Sequence, residues 1–433
     1  MSTGIDDAAR PGRWFYGWTV CSVSVATYFF TNGLTLFVPQ NLFPRFIETF
    51  DVSAGQISGT TAISLLLAGL MAPFVGALVD RAGVVRQIRI GLIGMGLSVT
   101  AYPFAQSRTQ LYLIHAGLAL GLVLAGLMCN VVLLSNWFVR RRGLVVGLLA
   151  AASSLAGATL PLLISPLVNN PEYGWRYGLG ALAVGFWLFA VVPGFLFLKE
   201  KPDDIGRYPD GADSPPPATL ADADIGVSFA RALRSPSLYC LGLGSACLWF
   251  AIQAMNSQAT LFFETDAGLA PERATQLFGL IFALSFAGKF LFGLVSDRLA
   301  KRRVMLMSAL TLLAGCLFLF ETGGPDGLML TQSLPRLTLF AIVFGLGFGG
   351  SFTMIQLVTV ETFGQRSLGK ILGIISLIDT LGAAAGTVLM GRLKDSTGDY
   401  LVPFIIVTAV ALVAVINVLF IRPVRPERAP AAG

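Results

Sequence analysis

The sequence is short of charge, of histidine and of paired cysteines, and each shortage closes off a class of protein. Charged residues make up only 12% of the 433 positions, where a soluble domain carries roughly 25%. A chain so poor in charge is not built to meet water on every side. It has one histidine, so no histidine cluster can hold a catalytic metal. The five cysteines, Cys21, Cys129, Cys240, Cys247 and Cys316, show no metal-ligand or disulfide spacing and are expected to be small packing residues. No P-loop or dinucleotide fingerprint follows a strand, and no nucleophile stands with a base. No cofactor, no metal and no enzymatic activity are therefore expected.

Apolar residues and glycine fill the place of charge: 55% of the chain is hydrophobic, 48 residues are glycine, and the mean hydropathy is +0.74. Runs long enough to cross a bilayer recur from end to end. They predict an all-α polytopic membrane protein with spans at 15–38, 54–79, 88–106, 110–135, 143–168, 174–198, 237–263, 273–297, 304–322, 334–361, 369–393 and 400–421. An even number of spans puts both ends on one side. Most of the 30 lysines and arginines fall in the tails and even-numbered loops, so both termini are expected in the cytoplasm of a bacterial inner membrane. The net charge of +6 is then topology, and nucleic-acid binding is not indicated. The opening "MSTGIDDAARPGRWFYGW" lacks a short apolar region with a cleavage site, so it reads as an uncleaved start.

The longest polar stretch, residues 199–236, is rich in Pro, Asp and Gly and predicts a connector with a short amphipathic helix near 226–234. It separates residues 1–198 from 237–433, six spans each. These halves echo one another. "GALVDRAGVVR" places Gly76, Asp80 and Arg81 as "GLVSDRLAKRR" places Gly293, Asp297 and Arg298. "RRRGLVVGLL" likewise places Arg140, Gly143 and Gly147 as "RSLGKILGII" places Arg366, Gly369 and Gly373. Two markers repeated at nearly equal offsets imply internal duplication, a feature of secondary transporters whose substrate site lies between the repeats.

The repeated G-x-x-x-D-R followed by basic residues resembles the signature of the major facilitator superfamily over the whole chain. Four further stretches resemble its bacterial monocarboxylate porter and oxalate–formate antiporter branch: "FYGW" (15–18), "WFVRRRGLVVGLL" (137–149), "KPDDIGRYPDG" (201–211) and "GRLKDSTGDY" (391–400). The resemblance implies a fold of twelve helices in two pseudo-symmetric six-helix bundles. Asp80, Arg81, Asp297 and Arg298 sit at helix ends, where pairing and release would gate the cytoplasmic side; fixing topology and capping helices is the alternative.

One cation stands deep in a span. At about 1.5 Å per residue, Lys289 lies roughly 12 Å inside Asp297, too deep for a lysine stem alone to carry its charge to the interface. A lysine there costs about 2.5–3.5 kcal/mol on insertion scales, which points to a cationic anchor for an anion in a water-accessible cavity. In the branch, an arginine four residues before a glycine binds the substrate carboxylate. Lys289 stands four before Gly293 and departs from it in residue type, giving point-charge attraction in place of a bidentate fork. Asp379 in "IISLIDTLGAAAG" is the expected counter-charge, holding helices together or taking part in coupling. Glu361 is expected at the interface.

Two further departures bear on coupling. Leu36 and Ser285 occupy the positions where proton-coupled relatives carry a lysine and an aspartate, so the resemblance does not bring proton symport with it. A single deep cation suits a monocarboxylate better than a dicarboxylate. Uncharged candidate lining residues are Tyr28, Asn32, Asn130, Gln253, Asn256 and Gln356, with Trp249 and Phe250 as an apolar wall. His115 reads as an interfacial hydrogen-bonding residue. The expected function is a secondary active transporter of small organic anions, monocarboxylates first, acting as a monomer. Protons or a counter-transported anion would be its coupled partners. Efflux of hydrophobic or cationic compounds through Asp379 is the alternative, and a non-translocating sensor or scaffold is the alternative of another class.

Overall fold

The computed structural model describes residues 15–212, 227–323, 327–364 and 367–424. Arg366, the first fourteen residues and 213–226 of the connector lie outside them, as does the side chain of Asp80. Twelve helices dominate. The first six are α1 (Tyr16–Asn41), α2 (Ala54–Ala82), α3 (Val84–Ala101), α4 (Arg108–Trp137), α5 (Arg142–Val168) and α6 (Gly174–Phe197). The second six are α7 (Pro236–Thr265), α8 (Pro271–Ser296), α9 (Lys301–Leu317), α10 (Leu334–Phe363), α11 (Leu368–Thr397) and α12 (Leu401–Phe420). Among the described residues eleven segments are long and apolar enough to cross a membrane; α9, with 17 residues, is the twelfth helix and is shorter than these. In lipid no water can satisfy an open backbone, so long apolar runs settle as helices that bond internally.

Prolines mark starts and irregularities. Pro236 and Pro271 open α7 and α8, where the missing N–H would have had no partner. Pro161 and Pro166 lie inside α5. α4 breaks at Ala125–Gly126, and α1 widens into a π-turn over Gly33–Phe37. The spans expected from hydropathy match these helices within a few residues, except that α3 and α9 begin and end earlier. A two-stranded hairpin, β1 (Phe320–Thr322) with β2 (Leu328–Leu330), joins α9 to α10. It is tied down by Arg336, which pairs with Glu321 at 3.1 Å, and an all-helical reading did not foresee it.

The resemblance motifs gather at two places. On the side carrying both termini, Phe15 packs on Phe138 and Trp137, Tyr16 on Trp137, and Trp18 on Phe138. The connector closes that cluster. Glu200 accepts from the amides of Val84 (2.8 Å) and Val85 (2.9 Å) at the start of α3. Asp210 accepts from the amides of Val139 (3.0 Å) and Arg140 (2.8 Å) before α5. Glu200 thus satisfies orphan helix-entry donors and opposes the positive end of the dipole, and Asp210 holds the turn that leads into α5. The short helix expected near 226–234 is Phe229–Leu233.

The fourth motif works on the opposite side. Lys394 pairs with Asp266 at 2.8 Å, Asp395 accepts from Ser53 (2.5 Å) and from the Gly55 amide (2.9 Å), and Tyr400 donates to Gln258 at 2.7 Å. Gln258 in turn donates to Ser58 at 2.7 Å. Arg45 pairs with Glu264 at 2.8 Å, and Asn41 donates to Thr260 and Thr275. Lys394–Asp266 and Tyr400–Gln258 brace the second six helices, and the contacts of Asp395, Gln258 with Ser58, Arg45 and Asn41 join the first six helices to the second six. At the terminus-side ends of α5 and α11 the arrangement reverses: Gly143, Gly147, Gly369 and Gly373 face open space. The molecule is closed on the side away from its termini and open on the side that carries them.

Candidate functional site

The interior between the two sets of helices is rich in buried polar atoms that find no partner. Asn32 Oδ1, Gln253 Nε2, both polar atoms of the Asn256 amide, Ser351 Oγ and Asp379 Oδ1 are all buried without a hydrogen bond. They come from α1, α7, α10 and α11. Buried polar groups are nearly always paired with protein or water, so a concentration of unpaired ones marks a candidate binding interior. Trp249, Gln253 and Asn256 recur at helical spacing and so share one stripe of α7. Of the expected lining residues, Tyr28, Asn32, Gln253 and Asn256 are buried here. Gln356 is exposed, one turn closer to the open side than Phe352 and on the same face of α10.

Lys289 lies inside the bundle with only 8% of its surface exposed. Its Nζ donates to the Ala150 carbonyl at 2.8 Å and to Ser153 Oγ at 3.0 Å, both on α5. It sits 4.2 Å from the centroid of the Phe352 ring on α10. The side chain therefore runs across the α5–α8 seam rather than towards an interface. Tyr28 of α1 presents its hydroxyl to the same Ser153. One turn from Lys289, Ser285 meets Ser154 at 3.2 Å between hydroxyl oxygens. Ser285 is thus a neutral contact between the two sets of helices. Gly349 lets α10 come so close to α8 that a Cβ there would strike the Ser285 carbonyl, which brings Phe352 under the ammonium.

Asp379 is not the partner of Lys289. α8 packs on α5 and α10, whereas α11 packs on α7 and α2, so the two charges meet different neighbours. The neighbour of Asp379 is Ser245 on α7, one turn from Trp249. The expected Lys289–Asp379 ion pair gives way to a lysine held by neutral groups and a carboxylate with one oxygen unpartnered.

Two other expectations change. Asn130 donates to the Ala125 and Gly126 carbonyls, both at 2.8 Å, and so repairs the break in α4; its Oδ1 remains unpartnered. His115 is wholly buried, between Ser64 at 2.9 Å and Tyr102 at 2.7 Å, rather than interfacial, because α4 begins nearly two turns before it. Glu361 is exposed near the terminus-side end of α10. Arg81, Asp297 and Arg298 are exposed at the open side and, among the described residues, form no ion pair. Leu36 is buried in the π-turn of α1. Sequence reasoning missed Ser153, Ser154 and Phe352. A serine pair and a phenylalanine carry no signal in an apolar helix until their neighbours are known.

The comparisons with known proteins agree with this architecture. The chain is 26% identical to monocarboxylate transporter 13 of Rattus norvegicus, over 93% of this chain and 87% of that protein. It is 24% identical to human monocarboxylate transporter 12, over 91% and 78%. It is also 23% identical to the agnestins efflux protein AgnL12 of Paecilomyces divaricatus, over 87% and 78%. Among solved structures it superposes on a bacterial homolog of the human lysosomal transporter Spinster, described as inward-facing and unoccupied. That match has a TM-score of 0.65 at 17% identity and covers 95% of each chain. The Major Facilitator Superfamily model matches residues 21–330 and 276–433. The chain belongs to the major facilitator superfamily and is a multi-pass membrane transporter.

Proposed function

We propose that the protein moves small organic anions, monocarboxylates first, by alternating access, with Lys289 as the carboxylate anchor. One observation carries this reading: a buried mid-depth ammonium whose partners are a carbonyl, a hydroxyl and a ring, with no carboxylate among the described residues paired with it. Neutral partners lessen the cost of holding that charge in the membrane but do not cancel it. An incoming carboxylate supplies the missing counter-charge by displacing Ala150 or Ser153. The names of the monocarboxylate relatives support the same class. Tyr28, Asn32, Gln253, Asn256 and Gln356 would bind the rest of the substrate, and Asn130 would act through the break in α4.

Residues 1–198 and 237–433 would rock as two units, joined by the connector at 199–236. The terminus side is the cytoplasm by the distribution of lysine and arginine, so the present state is inward-open. Asp80, Arg81, Asp297 and Arg298 would pair with neighbouring helix ends when that side closes. Asp379, with an oxygen free, would couple transport by taking up a proton or by exchanging partners with the substrate. The working unit is a monomer in a bacterial inner membrane.

The test is uptake and counterflow of labelled carboxylates in proteoliposomes, wild type beside Lys289→Gln. Removing one member of a buried charge pair costs about 2–5 kcal/mol, so saturable transport should fall by about thirtyfold or more. Saturable carboxylate transport left intact in the variant would overturn the reading. A second reading, efflux of lipophilic cations, is favoured by the unpartnered oxygen of Asp379. Protection by such cations, lost in Asp379→Asn, would support it instead.

A further inference from the structure

The floor beside Lys289 is aromatic, and its two outermost rings are open to the interior. Phe352, under the ammonium, meets Trp249 at 5.9 Å in an edge-on arrangement. Trp249 also meets Phe348 at 6.3 Å. Behind them Phe348 packs on Phe282 and Phe282 on Phe37, and these three are buried at 4%, 0% and 5% exposure. Trp249 and Phe352 alone of this group keep part of their surface accessible. Their ring contacts and the ammonium lie among α7, α8 and α10, on the side where Lys289 reaches across to α5. Beyond Trp249, one turn along α7, stand Ser245 and the carboxylate of Asp379, with Oδ1 buried and unpartnered. The site thus runs from a cation, across two open rings, to an acceptor that lacks a donor.

We propose that the substrates are arene monocarboxylates whose far end carries a hydrogen-bond donor. The carboxylate is held at Lys289, the ring lies against Phe352 and Trp249, and the donor reaches Asp379. A two- or three-carbon acid such as lactate could satisfy Lys289 but would leave both rings wet and Asp379 Oδ1 empty. An aromatic body meets Trp249 and Phe352 by edge-to-face or offset contact, and filling the cavity removes their apolar surface from water. This inference rests on the carboxylate reading above and narrows it to one class.

The test is ligand-dependent thermal stabilisation of the purified full-length protein. Four probes are compared: 4-hydroxyphenylacetate, phenylacetate, cyclohexylacetate and lactate. Phenylacetate should half-saturate at a concentration about tenfold lower than lactate. It should also be tighter than cyclohexylacetate, and the 4-hydroxyl should tighten it further. The phenylacetate-to-lactate ratio should collapse in Trp249→Ala and be largely kept in Trp249→Phe. The advantage of the 4-hydroxyl should vanish in Asp379→Ala. Lactate or cyclohexylacetate binding as tightly as phenylacetate to the wild type would overturn the proposal. So would a ratio unchanged in Trp249→Ala, or a 4-hydroxyl that brings no gain. Loss of lactate binding in Lys289→Gln without any arene preference would overturn this inference and leave the carboxylate reading standing. No stabilisation by any probe would overturn both.

Discussion

The two ends of the interface between the first and second six helices are built from similar parts and behave differently. On the side away from the termini, Gly391 and Gly55 bring α11 and α2 into backbone contact, and a Cβ at Gly391 would strike Ala54 O and Ser58 Oγ. Around them Arg45–Glu264 and the bonds of Asp395 and Gln258 tie the halves together. On the terminus side, glycines repeat with the same spacing in α5 and α11 but touch nothing. Small residues let helices approach closely; whether they do so depends on which state the molecule occupies. On the alternating-access proposal, a glycine row that is empty in one state would be a seat for the other.

Four substitutions put that comparison to the test, from the largest expected effect to the smallest. Gly391→Leu should stop the far side from closing and abolish transport, because backbone as well as side-chain atoms stand in the way. A cysteine placed at Thr260 should then become reactive to an impermeant thiol reagent on that side. If it stays as protected as in the parent, the glycine contact is not the seal. Arg45→Gln should act in the same direction but less. It leaves Glu264, whose side chain is 13% exposed, without its partner. The shift towards the far-open state should be about 1–2 kcal/mol once solvent screening is allowed for. Pairing it with Glu264→Gln should recover part of the labelling protection.

Gly147→Leu on the open side separates folding from cycling. The site is empty, so the melting temperature should move by no more than a surface substitution moves it, about 0.5 kcal/mol in stability. Transport should nevertheless slow, since the seat is needed when that side closes. Equal uptake in variant and parent would show that the row is never used. The smallest effect belongs to Glu200→Gln, which keeps a hydrogen-bond acceptor at the start of α3 and removes the charge. It should cost about 0.3–1 kcal/mol, read as a small drop in thermal stability with transport retained.

Much of this was legible before any coordinates. Apolar runs against sparse charge predicted the helices, because a bilayer leaves a polypeptide few other options. The repeated markers around Asp80 and Asp297 predicted the two sixfold sets. Lys289 stood out because a lone ammonium in an apolar run is rare and costly. Its partners did not stand out. Ala150 contributes a backbone carbonyl, which has no residue-type signature, and Ser153 and Phe352 are ordinary in such helices. Asp379 is the other deep charge, yet depth along a helix says nothing of which face or neighbour it meets.

The sequence by itself determined the helices, their number within one marginal segment, the duplication and the presence of one buried cation. These follow from local hydropathy and from residue spacing, which no distant contact can alter. The tertiary structure alone decided that Lys289 crosses to α5, that Asp379 keeps an oxygen unpartnered, and that the open rings of Phe352 and Trp249 lie between them. It also decided which end of the interface is shut. Helix rotation and the pairing of seams are set by packing between segments far apart in the chain, where glycine rows permit close approach without specifying it.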